Sequence, residues 1–295
     1  MDPHKDMPSN YGGDDLHFTD PATSRVTVIP VPYDATTSYI GGTAKGPAAI
    51  IDASTHMELY DEELEQETCG IGIHTTMPLP VHDEPPEAML RMVTEAVSRH
   101  LATDKLPVIL GGEHSISLGA VRALVRRYPR LSVLQLDAHA DLRDSYGGTP
   151  FSHACAARRM GELCPLVQVG IRSMSREEAD FKRSSPVITV FDHQIKQAGK
   201  NPEEAIQHLT DEVYLTIDLD VLDPAIMPAT GTPEPGGLSW YEITSLLKKL
   251  CGVKRVVAFD VVELCPQPGN VAPDFLAAKL IYRTMGYIAK ARGWL

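Results

Sequence analysis

The sequence has no Cys-x-x-Cys pair, no long apolar run and no basic block. Its five cysteines (Cys69, Cys155, Cys164, Cys251 and Cys265) are scattered and odd in number. They therefore read as free thiols in a reducing, cytoplasmic setting rather than as a disulfide framework or a thiolate metal site. No uninterrupted stretch of ~18 apolar residues occurs, so no transmembrane helix is expected. Met1 to Asp20 is polar and holds Asp14 and Asp15, which argues against a signal peptide. The formal charge is −12. Without clustered Lys and Arg, nucleic acid is an unfavourable partner, and a neutral or cationic small molecule is a better match. Internal repeats, low-complexity tracts and interior linkers are also missing. The 295 residues are read as one large domain, 25–295, preceded by a loose Pro- and Gly-containing arm, 1–24.

From Arg25 onward apolar runs alternate with amphipathic stretches. Val26–Val31, 106–110, 131–136, 166–171, 187–190, 213–218 and 255–260 read as buried strands. Segments from Gly46, and over 87–102, 116–127, 153–162, 175–183, 202–209, 239–250 and 273–291, read as helices. In the first of these, Pro47 stands where a missing N–H costs little, and Ser115 is placed to cap the helix from Ile116. Continuous apolar strands separated by helices predict an α/β domain, its mostly parallel sheet covered on both faces.

Three of the strands end in residues that carry chemistry. They are followed by Gly111-Gly112-Glu113-His114-Ser115, Asp137-Ala138-His139-Ala140-Asp141 and Asp218-Leu219-Asp220. In extended chain alternate side chains share a face, so the polar residues of the last two clusters can point one way. Ligands in parallel sheets bind beyond the carboxyl ends of strands. Four carboxylates and two imidazoles gathered there would repel unless cations held them. His114, Asp137, His139, Asp141, Asp218 and Asp220 therefore predict a two-metal site that activates water. Oxygen and imidazole donors suit Mn²⁺, and also fit Zn²⁺, Fe²⁺ or Co²⁺. Two ions ~3.5–4 Å apart can share a water and clamp developing charge.

Taken in order, these clusters with Ser152-His153, Asp218-Leu-Asp-Val-Leu-Asp-Pro224, Ala229-Thr-Gly-Thr-Pro233, Gly236-Gly237-Leu238 and Glu263 resemble the ureohydrolase (arginase/agmatinase) family from about Val26 to the C-terminus. The resemblance implies a three-layer arginase-like fold with a central, mostly parallel sheet of about eight strands. It implies two Mn²⁺ per subunit, hydrolysis of a guanidino group to urea and an amine, and a homo-oligomer, trimer or hexamer. His114, Asp137, Asp141 and Asp218 would hold one ion. Asp137, His139, Asp218 and Asp220 would hold the other. Asp141 would also hydrogen-bond the attacking water, Glu263 would pair with the substrate guanidinium, and His153 would relay protons to the leaving amine. Thr232 matches the threonine near the substrate nitrogen, and Glu113 would orient ligands from behind. Ala154 departs from the glycine that often follows the family's mobile histidine.

The substrate is read from departures. Gly170-Ile-Arg-Ser-Met-Ser175 has serines where arginases place aspartates, and the loop Leu142–Ser152 also differs from theirs. Asp141-Leu-Arg-Asp-Ser-Tyr146 and Thr232-Pro-Glu-Pro-Gly-Gly237 look like agmatinases. Agmatine, cleaved to putrescine and urea, is the expected substrate, with Asp144 or Glu234 holding its distal ammonium. Aminopropylagmatine, guanidino acids and arginine are the alternatives, and Arg143 would favour an anionic tail unless an acid pairs with it. A catalytically silent relative is the remaining alternative, against which the intact ligand set argues.

Overall fold

A computed structural model of the chain describes residues 10–295; Met1 to Ser9, part of the expected arm, lie outside the described residues. Among the described residues ten strands form in chain order. They are β1 (Val26–Val31), the short antiparallel pair β2 (Tyr60–Asp61) and β3 (Gln66–Glu67), β4 (Ile73–Thr75), β5 (Leu106–Gly111), β6 (Leu131–Leu136), β7 (Leu166–Ile171), β8 (Ile188–Phe191), β9 (Glu212–Asp218) and β10 (Arg255–Val262). Nine α-helices accompany them: α1 (Leu16–Thr19), α2 (Gly46–Ser54), α3 (Pro86–Leu101), α4 (Ser117–Arg127), α5 (Ala156–Gly161), α6 (Arg176–Ser184), α7 (Asp192–Lys196), α8 (Trp240–Val253) and α9 (Ala272–Ala291).

Eight strands make one sheet in the order β4-β1-β5-β10-β9-β6-β7-β8, and every pairing in it is parallel. Alternate side chains feed two separate cores. Val213, Leu215 and Ile217 of β9 join the core under α2, α8 and α9, whereas Tyr214 joins the core under α3, α4 and α5. This is the expected three-layer arrangement, and it explains why the strands read as unbroken apolar runs. Among the described residues no helix is long and apolar enough to cross a membrane.

β5 and β6 follow one another in sequence but lie on opposite sides of the β10–β9 pair. The connections therefore diverge at the middle of the sheet, which opens a crevice beyond the carboxyl ends of β5, β10, β9 and β6. All the chemical clusters follow these four strands.

Several local readings change. Ser115 does not cap α4, because its hydroxyl donates to Glu113 (2.5 Å) and residues His114–Ile116 form a 3₁₀ turn before the helix. Residues Pro202–His208 are 3₁₀ rather than α-helix, and α7 lies between the expected strand 187–190 and that segment. Within the expected arm, Tyr11 is buried and its hydroxyl donates to the Ala278 carbonyl (2.5 Å).

One close approach holds β1 and β5 in register just before His114. A Cβ built on Gly112 would stand 1.8 Å from the Tyr33 carbonyl oxygen. Backbone cannot retreat as a side-chain tip does. Gly112→Ala is therefore expected to lose about 3 kcal/mol of stability, measured as the shift of a urea-unfolding midpoint; an unchanged midpoint would contradict the packing.

Candidate metal centre

The crevice gathers all six expected donors. His114 enters from the turn after β5, Asp137, His139 and Asp141 from the segment after β6, Asp218 from the last position of β9, and Asp220 from the 3₁₀ turn that follows it. His114 Nδ1 lies 3.1 Å from Asp137, 3.3 Å from Asp141 and 3.3 Å from Asp218, measured to one carboxylate oxygen of each. None of the three is aligned as a hydrogen-bond acceptor, so this fully buried nitrogen has three carboxylates beside it but no hydrogen-bond partner. His139 Nδ1 stands 2.8 Å from Asp220 and 3.8 Å from Asp137. Two groups of donors spaced to hold an ion result, His114 with Asp137 and Asp218, and Asp137 with His139 and Asp220. Asp137 is common to both.

The electrostatics of this nest are those of an anionic cavity. Burial, reinforced by the charges of Asp220 and Asp141, pushes Asp137 up to about 7. Burial and the neighbouring Asp220 and Asp137 hold Asp218 well above the usual carboxylate range. Burial opposes ionisation of Asp220 too, but the His139 charge outweighs it and lowers this acid to about 2. Burial likewise disfavours the His139 cation, yet Asp220 and Asp137 raise it to about 11. Carboxylates crowded in this way attract cations. An unpartnered buried imidazole nitrogen, a shared carboxylate and an all-oxygen-and-nitrogen donor set fit two divalent ions of the Mn²⁺ class.

Backbone and side chains behind the donors fix their aim. Ala138 N donates to Asp220 (2.9 Å), Asp220 N to Asp218 (3.0 Å) and His139 N to Asp137 (2.5 Å). Gln135 Nε2 donates to Asp137 (2.7 Å), and a buried ladder from Thr189 through Gln168 backs Gln135. Among the described residues four non-glycine residues adopt positive φ, and two of them are Asp141 (50°) and Glu263 (66°). Left-handed backbone at such residues is costly and concentrates where side-chain placement matters.

A cavity of about 260 Å³ opens over the nest. His114, His139, Asp141, Asp218, Asp220, His153, Thr232 and Glu263 all line it. Glu263 accepts the His114 amide (2.7 Å) on one oxygen. Burial and the charge of Glu113 hold its pKa well above the ordinary carboxylate range. His153 rests on Thr36, whose hydroxyl lies 3.2 Å from Nδ1, accepts the His153 amide (3.0 Å) and donates to Glu113 (2.6 Å). Burial lowers the His153 pKa, with Asp141 opposing. Glu113 thus braces the His153 loop through Thr36: its carboxylate accepts from the Thr36 amide and hydroxyl and from the Ser115 hydroxyl.

The tail-binding expectation is corrected in part. Asp144 does not line the cavity; it is 62% exposed and paired with Arg159 (2.8 Å) and Arg158 (3.3 Å) of α5. Glu234 lies outside the lining, 3.9 Å from His139 Nε2. Arg143 does line the cavity, but its guanidinium lies 3.9 Å from Glu178 and over the Tyr146 ring. Glu178 was not anticipated. It reads locally as the capping-box glutamate of α6, accepting the Ser175 amide (2.6 Å), while its other oxygen accepts the Leu142 amide (2.9 Å). Thr36, Tyr39 and Ile40 were also missed, because the loop after β1 has no sequence signature of its own.

Residues 24–286 match the model of the arginase family. The chain belongs to the arginase family. Among relatives of this arginase-family chain is the N(1)-aminopropylagmatine ureohydrolase of Synechocystis sp., 40% identical, the alignment covering 92% of this chain and 91% of the relative. The agmatinase of Pyrococcus horikoshii is 35% identical over 89% and 92% of the two chains. The crystal structure of the agmatine ureohydrolase of Thermoplasma volcanium superposes with a TM-score of 0.87 at 31% identity, covering 97% of this chain and 96% of that one.

Proposed function

We propose that this chain is a binuclear-manganese ureohydrolase whose substrate is a cationic alkylguanidine, agmatine in the first instance, cleaved to putrescine and urea. The observation that carries the reading is the pair of donor groups sharing Asp137 at the floor of the cavity that Glu263 also lines. His114, Asp137, Asp141 and Asp218 are assigned to one ion, and Asp137, His139, Asp218 and Asp220 to the other. Bound there, two divalent ions lower the pKa of a water at the floor and neutralise charge that develops during attack.

The chain's own groups do the rest. Glu263 has one oxygen committed to the His114 amide; the other is left to pair with the guanidinium and aim its carbon at the floor. Asp141 accepts a proton from the attacking water. Thr232 offers its hydroxyl to a substrate nitrogen. Thr36 donates its proton to Glu113, so towards His153 it can only accept, which leaves Nε2 of a neutral ring free to take up a proton and deliver it to the departing amine. For the distal ammonium we assign Glu178, in place of Asp144, with Glu234 nearer the nest. Glu178 and Glu263 are the cavity-lining acids outside the six donors.

A second reading, N1-aminopropylagmatine, is favoured by the relatives, four of which, at 34–40% identity, are named for that activity. The exposed rim residues Tyr39 and Tyr146 leave the cavity open to a longer cationic tail. A homo-oligomer belongs to the same proposal and is tested by light scattering.

Urea release with Mn²⁺ present, compared across agmatine, N1-aminopropylagmatine, guanidinobutyrate and arginine, tests both readings. The two cationic amines are expected to exceed guanidinobutyrate and arginine in kcat/KM by at least about 10²-fold, because Glu178 already offsets the charge of Arg143, which leaves a carboxylate tail no free cation among the described residues of the lining. The larger value of the first two names the substrate. Preference for guanidinobutyrate would overturn the tail assignment, and no urea from any of the four would overturn the function.

A further inference from the structure

Asp260 is a fully buried acid in β10, between the apolar Phe259 and Val261, and no Lys or Arg pairs with it among the described residues. Burying a carboxylate without a cation is costly, and the proposed chemistry does not use this one. Its Oδ2 accepts hydrogen bonds from the hydroxyls of Ser117 (2.5 Å) and Tyr214. The Ser117 hydroxyl lies 3.3 Å from that of Thr216, and the Thr216 hydroxyl lies 2.9 Å from His114 Nε2. Ser117, Thr216, Tyr214 and Asp260 are completely buried, and His114 nearly so, so no water competes for these bonds.

Proton counting gives the chain a direction. A serine or threonine hydroxyl has one proton to donate. Ser117 commits its proton to Asp260, so towards Thr216 it can only accept. Thr216 then donates to Ser117 and offers His114 only a lone pair. His114 must therefore carry its ring proton on Nε2, which leaves the Nδ1 lone pair facing Asp137, Asp141 and Asp218. A metal-ligating imidazole needs this tautomer, and the bond at its far nitrogen selects it.

We propose that Asp260 is a positioning residue, which orders the chain Ser117–Thr216–His114 and thereby sets the affinity of the ion held by His114 without setting that of the ion held by His139. The inference rests on the metal assignment above. The His139 side has its own contacts, to Asp220 and Asp137, and no link to Asp260.

Manganese titration of metal-free protein, followed by the electron paramagnetic resonance signal of free Mn²⁺, tests the proposal without reference to turnover. Wild type is expected to bind two ions. Thr216→Val keeps the side-chain shape but removes the acceptor; it is expected to weaken one position about 10- to 100-fold and leave the other unchanged. The position that survives should match the one remaining in His114→Ala. Asp260→Leu should weaken the same position, and the double variant should be no weaker than Thr216→Val, since the chain is already cut. Equal weakening of both positions, or two unaltered positions in Thr216→Val, would overturn the proposal. Should wild type itself bind fewer than two ions, the metal assignment fails first and takes this inference with it.

Discussion

Asp137→Asn is expected to lower urea release by at least about 10³-fold and to reduce bound manganese together with it. Asp137 is common to both donor groups, it is completely buried, and both its oxygens are committed, one to the His139 amide and one to Gln135. An amide has one acceptor oxygen where the carboxylate has two, and it carries no charge. The substitution therefore removes a donor oxygen from one of the two groups and one negative charge from the nest that both share. Metal ions supply several kcal/mol of transition-state stabilisation, and each 1.36 kcal/mol is a factor of ten in rate. Metal content and rate should fall in proportion, with far-ultraviolet dichroism unchanged. A variant that keeps two ions and its rate would remove the basis for the assignment.

Glu263→Gln is expected to lower kcat/KM for agmatine about 10²- to 10³-fold while leaving manganese content intact. The residue lines the cavity but belongs to neither donor group. Its His114 contact uses a backbone amide, which the Gln oxygen can still accept. What the variant loses is the charge of its contact with a planar cation. Breaking a buried hydrogen-bonded ion pair costs about 2–5 kcal/mol. The positive φ of 66° at this residue persists in the variant, so side-chain direction is preserved and the comparison isolates charge. Equal loss of metal and activity would instead make Glu263 part of the metal centre.

The two predictions separate what the sequence could show from what it could not. The six donors were legible because each falls at the end of a strand long and apolar enough to read, and because Asp-x-His-x-Asp and Asp-x-Asp alternate with the strand's own period of two. β5, β6 and β9 begin within one residue of expectation for the same reason. The three-residue β4 was invisible, since its burial depends on β1 alongside it rather than on its own pattern. The 3₁₀ stretch Pro202–His208 reads as helix in the sequence because side chains repeat at similar spacing in both forms.

Partners across the fold were hidden in another way. Asp144 and Glu178 are both acids beside the motif segments, and only tertiary structure places one against arginines of α5 and the other in the cavity. Ser117, Thr216 and Asp260 look like ordinary helix and strand residues; their hydroxyls and carboxylate meet only because β5, β10 and β9 are neighbours. Thr36 reaches His153 across 117 positions of chain, a separation that no local pattern encodes.

The central claim, that paired cations in the shared nest drive guanidine hydrolysis, is tested most directly by urea release from agmatine after the protein is stripped with a chelator and reloaded stepwise with Mn²⁺. The account predicts negligible turnover without metal and full turnover only once two equivalents per chain are bound. Full turnover by the stripped protein, or saturation at one equivalent, would contradict it.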